Sequence, residues 1–149
     1  MSNFAENRKA YFNYEIIEKI TAGIELLGIE VKAIKAGQIS LDGSYVIIRG
    51  GEAFLIGSNI TPLQPKNIPT DYDPRRNRKL LLTKKELKKL AGIESKKGLT
   101  ILALSVYNIG HKLKVELGVG SGKKNKDKRE SIKKRESDRE IRRTLLNKE

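Results

Sequence analysis

The last part of the chain is so highly charged that it can bury almost nothing. Residues 122–140 read GKKNKDKRESIKKRESDRE, and fourteen of these nineteen residues are Lys, Arg, Asp or Glu. Ile132 is the only apolar side chain among them. Such a segment cannot bury enough apolar surface to offset the entropy lost on ordering. The folded core must therefore be built from residues 1–120, and we divide the chain into this domain and a basic tail, 121–149.

Both parts of the chain carry a basic excess. The 149 residues hold 31 Lys and Arg against 18 Asp and Glu, a net charge of +13. Residues 1–120 hold 19 against 12, a net +7, and residues 121–149 hold 12 against 6, a net +6. This distribution predicts a polyanionic partner that contacts both parts. The alternative is a charge excess that only keeps the protein soluble.

The residue types exclude several chemistries. The chain has no Cys, and His111 is its only His, which excludes disulfides, thiolate nucleophiles, zinc fingers and nearly every transition-metal site. GSGK at 120–123 lacks the spacing of a phosphate-binding loop. Without a catalytic set, we expect no enzyme activity, no cofactor, no metal and no small-molecule substrate.

No segment of the sequence is suited to a membrane or to export. No apolar run approaches the roughly 18–20 residues that span a bilayer. The N-terminal residues MSNFAENRKAYF have no apolar signal-peptide core. We therefore expect a soluble, cytoplasmic protein without a membrane partner.

The body has the patterns of a small β protein. YEIIEKI (14–20) and IELL (24–27) predict strands, and SYVIIRGGEAFLIG (44–57) predicts a hairpin that turns at Gly50-Gly51. TILALSVYNIGHKLKVELGVG (100–120) predicts a second hairpin with its turn at 108–110. Helices are predicted over 29–36 and 82–98, the second with a capping box at Thr83 and Glu86. About six strands with few helices indicate a mainly β, closed or nearly closed antiparallel barrel.

A proline-rich connection leads into the most concentrated basic run of the body. All four prolines lie between residues 62 and 74, which predicts an irregular, stiffened loop. DPRRNRKLLL (73–82) follows and supplies Arg75, Arg76, Arg78 and Lys79. Four cations on a stiff loop suit contacts to phosphates, because little ordering entropy remains to be lost. The alternative is an ordinary solvated surface.

The N-terminal region mixes cations and aromatics. Asn7-Arg8-Lys9 is followed by Tyr11, Phe12 and Tyr14. This combination is typical of RNA-binding surfaces, although the aromatics could equally belong to the core.

The tail has the sequence of a marginal helix. Glu130–Lys134 and Asp138–Arg142 are i,i+4 pairs with the acid first, the more favourable order. A helix of this length without a packed face is marginal in water. We predict a tail that is disordered when free and helical against a polyanion, with one face formed by Lys128, Ile132, Arg135, Arg139 and Arg142. The alternative is a tail that stays disordered.

Several segments together resemble one protein family. NRKA (7–10), TAGIELLGIEVKAIKAG (21–37), SYVIIRGGEAFLIGSNITP (44–62), DPRRNRKLLL (73–82), KVELGVGSGKK (114–124) and DKRE (127–130) closely resemble the SmpB family, the tmRNA-binding proteins of bacterial trans-translation. The resemblance covers residues 7 to about 143, and the segments in this order are highly specific. It implies an antiparallel OB-like β-barrel with two or three flanking helices and a basic C-terminal tail.

The resemblance also implies a function. The body would bind the elbow of the tRNA-like domain of alanyl-charged tmRNA, as a monomer and one per tmRNA. The complex would enter the A site of a ribosome stalled on an mRNA without a stop codon. The tail would fold as a helix in the empty mRNA channel, past the decoding centre. Translation would switch to the tmRNA reading frame, and the tagged nascent chain would go to proteolysis.

The resemblance assigns site residues to two RNA partners. At the tmRNA surface it implies Asn7, Arg8, Lys9, Glu30, Lys32, Lys35, Asn59, Arg75, Arg76, Arg78, Lys79 and Leu81. Near the ribosomal decoding centre it implies Gly122, Lys123, Lys124, Asp127, Lys128 and Arg129. In the mRNA channel it implies Lys133, Lys134, Arg135, Arg139 and Arg142.

Two positions depart from the family pattern. Thr21 stands where the family usually has Glu, which puts one hydrogen-bonding contact to RNA in doubt. Lys126 stands where His or Tyr could stack on a decoding nucleotide. The alternative function is a ribosomal or RNA-chaperone OB protein that binds RNA without tmRNA specificity. Such proteins bind RNA through exposed aromatics, whereas this chain has only eight aromatics in all, most of them in patterns that predict burial.

Overall fold

A seven-stranded antiparallel sheet forms most of the body. The computed structural model describes residues 2–63 and 69–123. The strands are β1 (Asn3–Glu6), β2 (Tyr14–Ile24), β3 (Ile39–Ser40), β4 (Tyr45–Arg49), β5 (Glu52–Ile56), β6 (Asn59–Ile60), β7 (Arg78–Leu81), β8 (Leu99–Ile109) and β9 (Lys112–Gly122). The helices are α1 (Arg8–Asn13), α2 (Gly28–Lys35) and α3 (Lys84–Glu94). The large sheet has the order β1-β8-β9-β2-β7-β5-β4, and β3 pairs with β6. The predicted mainly β fold with antiparallel strands and flanking helices is confirmed.

Both predicted hairpins form, with one turn displaced. β4 and β5 pair around Gly50 and Gly51, whose φ values of 60° and 73° lie in the left-handed region that favours glycine. In the β8–β9 hairpin, Ile109 pairs with Lys112, so the turn consists of residues 110–111 and not of 108–110 as predicted. The predicted strand at 14–20 is part of a longer strand, β2, which continues to Ile24. The separate strand predicted at 24–27 is wrong, because residues 25–27 lie outside any strand.

Helices α2 and α3 cover the main core. Ala33 and Ile34 of α2 and Leu90 of α3 are fully buried in one cluster with side chains from the sheet. Thr83 and Glu86 form the predicted capping box: the Glu86 N–H donates to Thr83 Oγ1 at 3.2 Å, and the Thr83 N–H donates to Glu86 Oε1 at 3.0 Å. The helix is shorter than the predicted 82–98 at both ends.

Helix α1 covers a second, smaller apolar cluster on another part of the sheet. Ala10 packs there with Leu102 and Leu104 of β8. The alternating glycines of β9 make room for these leucines: a Cβ on Gly118 would lie 2.6 Å from Leu104 Cδ1, and one on Gly120 would lie 3.0 Å from Leu102 Cδ1. The GVGSG sequence at 118–122 therefore serves packing beneath α1.

Adding one methyl group at Gly118 tests this packing. Because Leu104 is fully buried, the Gly118→Ala variant must displace it, and we expect the free energy of unfolding to fall by about 1–3 kcal/mol. Chemical denaturation followed by circular dichroism measures the change. The matched control is Gly122→Ala on the same strand, where a Cβ meets nothing within 4 Å. Equal stability of the two variants would show that Leu104 repacks without cost.

The last described residues remain joined to the sheet. Gly122 pairs with Tyr14, and the Lys123 N–H donates to the Asn13 carbonyl at 2.9 Å. The predicted boundary after residue 120 therefore falls inside β9, and the folded body reaches at least Lys123. The predicted tail helix lies outside the described residues. Within residues 2–63 and 69–123, no helix is long and apolar enough to cross a membrane.

Candidate nucleic-acid interface

A buried carboxylate at the start of α2 is the centre of the candidate site. Glu30 is fully buried in the first turn of the helix. Its Oε1 accepts a hydrogen bond from the Leu27 N–H at 2.8 Å. The N–H groups at the start of a helix have no partner within the helix, so Glu30 satisfies one of them. Its remaining lone pairs face the proline-rich loop and β7.

Two arginines and a tyrosine converge on this carboxylate. Arg78 Nε donates to Glu30 Oε2 at 2.8 Å, and Arg76 Nε donates to the same oxygen at 3.1 Å. The Nη2 of Arg76 forms an ion pair with Glu30 Oε1. The Tyr72 hydroxyl lies 3.2 Å from Glu30 Oε2 and 3.0 Å from the Ile60 carbonyl oxygen. Glu30 thus joins α2 to residues that lie 42 to 48 positions later in the chain.

Arg78 holds the loop through its other donors. It is fully buried, and its Nη1 donates to the Ser58 carbonyl at 3.2 Å and to Ser58 Oγ at 3.0 Å. Its Nη2 donates to the Pro74 carbonyl at 2.9 Å. A buried charge is tolerated only when it is paired and its donors are satisfied, and Arg78 meets both conditions. We call Glu30, Tyr72, Arg76 and Arg78 the brace.

Electrostatics keep the brace charged. Burial would raise the pKa of Glu30, but hydrogen bonds from Arg76, from the Leu27 N–H and from Arg78 outweigh it and lower the pKa below its ordinary 4.5. Burial, together with the negative charge of Glu30, raises the pKa of the Tyr72 phenol above its ordinary value of 10.0. At neutral pH, Glu30 is therefore an anion and Tyr72 is a neutral phenol.

The brace fixes a cationic surface around itself. Lys32 and Lys35 of α2 are exposed, as is Arg75, which sits between the anchored residues Pro74 and Arg76. The Arg75 N–H donates to Asp73 Oδ1 at 2.9 Å, which closes a tight turn at the loop tip. About a third of the Arg76 side chain is also exposed. The backbone that carries these cations is tied to the brace, so their starting positions are fixed before a phosphate binds.

Three of the predicted contact residues are buried. Asn7, Glu30 and Arg78 are at most 2% exposed. Asn7 Nδ2 donates to the Leu41 and Ala103 carbonyls at 3.1 and 2.9 Å, and Asn7 Oδ1 accepts from the Ala10 N–H as the N-cap of α1. The hydrogen bonds described for these three side chains are internal, which favours a supporting role, and their contact with RNA stays a prediction. Residue type alone could not distinguish the two roles.

The other predicted residues with described positions lie at or near the surface. Arg8 and Lys9 are exposed on α1, at the second apolar cluster and away from the brace, and Lys9 pairs with Asp42 at 3.7 Å. Lys79 is partly exposed and pairs with Glu52 at 3.1 Å, whereas Asn59 is half-buried. Gly122 is exposed and Lys123 half-buried at the end of the body. The nine remaining predictions lie outside the described residues: Lys124, Asp127, Lys128, Arg129, Lys133, Lys134, Arg135, Arg139 and Arg142.

Leu81 lies beside a groove that the sequence did not predict. Leu81 is about half exposed and pairs with Gly23, where an added Cβ would lie 3.1 Å from Leu81 Cβ. The groove also contains Leu26, Val31 and Leu113, with three basic side chains: His111, Lys112 and Lys114. Apolar and basic side chains in one groove suit a nucleotide, which has an apolar base and a charged phosphate. The sequence signal for this groove is the alternation of lysine and apolar residues in KLKV (112–115).

One residue of the brace and one of its hydrogen-bond partners were not predicted from the sequence. Tyr72 and Ser58 were not predicted as site residues, although both contact Arg78. The one available signal was an aromatic side chain in a proline-rich loop.

Thr21 is exposed, with its hydroxyl 3.1 Å from that of Tyr107. Among the described residues, no group of three or more His, Asp or Glu could hold a metal ion.

A mainly β fold with an exposed cationic surface is typical of small nucleic-acid-binding proteins. Comparisons with known proteins give the family. The model for the SmpB protein family matches residues 4–147. The SsrA-binding protein of Gloeobacter violaceus is 49% identical over 140 residues, which cover 94% of this chain and 91% of that protein. The SsrA-binding protein of Pseudomonas entomophila is 46% identical over 144 residues, which cover 97% and 90%.

A solved structure agrees with this assignment. It is described as "tmRNA-SmpB: a journey to the center of the bacterial ribosome" and matches with a TM-score of 0.66 at 41% identity. The match covers 85% of this chain and 92% of that chain. The chain belongs to the SmpB protein family, which confirms the resemblance noted in the sequence.

Proposed function

We infer that the chain binds the tRNA-like domain of tmRNA and delivers it to ribosomes stalled on mRNA that lacks a stop codon. Trans-translation then tags the nascent chain and rescues the ribosome. The observation that carries this proposal is the match to the SmpB protein family over residues 4–147, which includes every residue of the brace. Relatives named SsrA-binding proteins and the tmRNA-SmpB structure support the same partners.

The body contacts tmRNA with cations that the brace supports. We propose that Lys32, Lys35, Arg75 and Arg76 contact phosphates at the elbow of the tRNA-like domain, while Lys79, Leu81 and Asn59 extend this surface along β7 and β6. Phosphate contacts set the position of a protein on a nucleic acid. The elbow is a folded shape, and a rigid set of cations selects shape better than a flexible one. Arg8 and Lys9 form a separate part of the contact on α1.

The tail contacts the ribosome. Gly122 to Arg129 would meet the decoding centre, and Lys133 to Arg142 would lie as a helix in the mRNA channel. Ordering a highly charged segment is unfavourable in water but is offset when it meets the phosphates of ribosomal RNA. An occupied channel would exclude the tail, so its folding would report that mRNA is missing.

The protein works as a binding protein in this proposal. It has no catalytic role, cofactor or metal, and it acts in the cytoplasm, where ribosomes translate. One monomer accompanies one tmRNA. The protein recognises the shape of its RNA partner, and the ribosome carries out the chemical steps of translation.

A competition among RNAs tests the proposal. We would measure binding of the full chain to the tRNA-like domain, to ordinary tRNA and to unstructured RNA of equal length, at near-physiological salt because phosphate contacts depend strongly on salt. A second protein would end at Lys123, after the last described residue of the body. We expect a strong preference for the tRNA-like domain that persists without the tail.

Two results would contradict it. Equal affinity for the three RNAs would favour an RNA chaperone without tmRNA specificity. Loss of binding in the protein that ends at Lys123 would show that the tail and not the body recognises tmRNA.

A further inference from the structure

The Tyr107 side chain is fixed at both ends on the outer face of the large sheet. Its neighbour Val106 is buried in the core, so Tyr107 leaves β8 on the opposite face. The Tyr107 hydroxyl lies 3.1 Å from the Thr21 hydroxyl on β2. Strand β9 runs between these two strands, which are therefore about 10 Å apart. The side chain must lie across β9, and a ring held in this way loses little further freedom when a ligand binds.

An open depression surrounds the Tyr107 ring. It is lined by Ser105 and Ile109, which lie on either side of Tyr107 along β8, and by residues of the two neighbouring strands, Asn3 of β1 and Glu116 of β9. Tyr107 is half-buried and Ile109 is about half exposed, so the depression offers an aromatic ring with an apolar edge. Aromatic side chains in such surroundings are the surfaces on which unpaired nucleobases stack.

The charges beside the ring favour an anionic ligand. Lys114 is the pairing partner of Tyr107 on β9, so its side chain leaves the sheet next to the ring. Glu116 lies two residues further along β9, and its carboxylate pairs with Lys19 at 3.6 Å. The negative charge near the ring is therefore balanced, whereas Lys114 adds a positive one. A ring beside a cation fits a nucleotide, because the base can stack while the phosphate meets the charge.

The ring also lies in line with the surface that we propose for tmRNA. Tyr107 pairs with Lys114, which pairs with Gly23 on β2. Gly23 in turn pairs with Leu81 on β7, at the groove described above. Since Gly23 has no side chain, no side chain of β2 stands in this row between Lys114 and Leu81. The depression around Tyr107 thus continues the surface that begins at the brace.

We propose that Tyr107 is a stacking platform for one unpaired nucleobase of the tRNA-like domain of tmRNA, and that Thr21 positions its ring. The inference rests on the proposed function for the identity of this RNA. A base inside a duplex is already stacked on its neighbours, so the occupant is a loop base that is turned outward. Phosphate contacts beside the brace set the position of the RNA, and stacking on Tyr107 selects an RNA with a loop at the right distance from them.

Replacing Tyr107 with Trp reports stacking directly. The chain has no Trp, so Tyr107→Trp introduces the only one. We expect its fluorescence to be quenched when the full chain binds the isolated tRNA-like domain, because a stacked base quenches an indole. A 16-base-pair RNA duplex should leave the fluorescence unchanged. The matched control is Ile17→Trp, an exposed position on β2 four residues before Thr21, which should not be quenched by either RNA.

Loss of the ring should weaken binding without changing its salt dependence. We expect Tyr107→Leu to lower the affinity for the tRNA-like domain about 5- to 150-fold, the usual range for one base stacked on an aromatic side chain. The slope of log affinity against log salt should stay the same, because no phosphate contact is lost. A slope that is shallower by about 1 would show that Tyr107 supports a phosphate contact, and would overturn the stacking role.

Thr21 should act only through the Tyr107 hydroxyl. Thr21→Val and Tyr107→Phe each remove one partner of the hydrogen bond, and we expect each to lower the affinity about 2- to 10-fold. The double variant should bind no more weakly than either single variant. Thr21→Ser keeps a hydroxyl and should bind like the unmodified chain. Additive losses in the double variant would overturn the positioning role of Thr21.

Two further results would overturn the proposal. Unchanged fluorescence of the Tyr107→Trp variant when it is bound to the tRNA-like domain would show that no base stacks at this position. Equal quenching by unstructured RNA would overturn the assignment to a loop of the folded domain. Failure of the proposed function would appear differently, as equal affinity of the unmodified chain for the three RNAs of the competition.

Discussion

Replacing Glu30 with Gln is expected to lower the free energy of unfolding by about 3–5 kcal/mol, a large part of the stability of a small domain. The reason is Arg78, which is fully buried and would lose the negative charge that compensates its own. Chemical denaturation of the full chain measures the loss. The matched control is Glu52→Gln, which removes an equal charge from a partly exposed pair with Lys79. Such surface pairs contribute about 0–1 kcal/mol.

The pH dependence of stability identifies the carboxylate responsible. Since the pKa of Glu30 is lower in the folded chain than its ordinary 4.5, the unfolded state binds the proton more readily. The contribution of Glu30 is therefore present above about pH 4.5 and is lost as the pH falls through the folded-state pKa. Stability of the unmodified chain should decline more steeply on acidification below pH 4.5 than that of the Glu30→Gln variant. Parallel curves would show that another carboxylate dominates acid unfolding.

Arg75 and Arg78 should respond to substitution in opposite ways, although they lie three positions apart. Arg75 is exposed, so we expect Arg75→Ala to leave the free energy of unfolding within about 0.5 kcal/mol of the unmodified value. The same variant should bind the tRNA-like domain more weakly, and the slope of log affinity against log salt should become shallower by about 1. Arg78→Ala should cost about 3–5 kcal/mol of stability, because Arg78 connects Glu30, Ser58 and Pro74.

Replacing Arg78 with Lys separates the effect of its positive charge from the effect of its guanidinium geometry. Lys retains the positive charge of Arg78 but cannot reach partners on three sides with a planar guanidinium. We therefore expect Arg78→Lys to be nearly as unstable as Arg78→Ala, while Arg75→Lys keeps most of the RNA affinity. Full stability of Arg78→Lys would mean that charge alone holds the loop. A large loss of stability in Arg75→Ala would place Arg75 in the support and not at the surface.

Local signals predicted the elements whose determinants are local. The glycine pair at 50–51 and the capping box of α3 lie within a few residues of the elements they define, and both formed as expected. β7 was not predicted, because RKLL follows a basic run and pairs with β5 and β2, which lie far earlier in the chain. The partner of β1 is β8, about a hundred residues later. A strand of only four residues, such as β1 or β7, is too short to show a clear alternation of polar and apolar residues. Its pairing partner lies too far along the chain to be predicted from the local sequence.

The site was predictable in composition but not in geometry. The basic run and the family motifs selected this segment as a site, yet they treated Arg75, Arg76 and Arg78 as equivalent cations. The structure separates them through Glu30, which lies 48 positions before Arg78. The packing of α2 against the proline-rich loop determines which arginine side chains pair with Glu30 inside the protein and which stay exposed.

The hydrogen bond from the Lys123 N–H to the Asn13 carbonyl has a mechanical consequence. Strand β9 is paired up to Gly122, and the next residue is still tied to the end of α1, so no slack chain lies between the sheet and this point. The position of the folded body therefore fixes the point at which residues 124–149 begin. An RNA that binds the body would also set the position from which the rest of the chain continues.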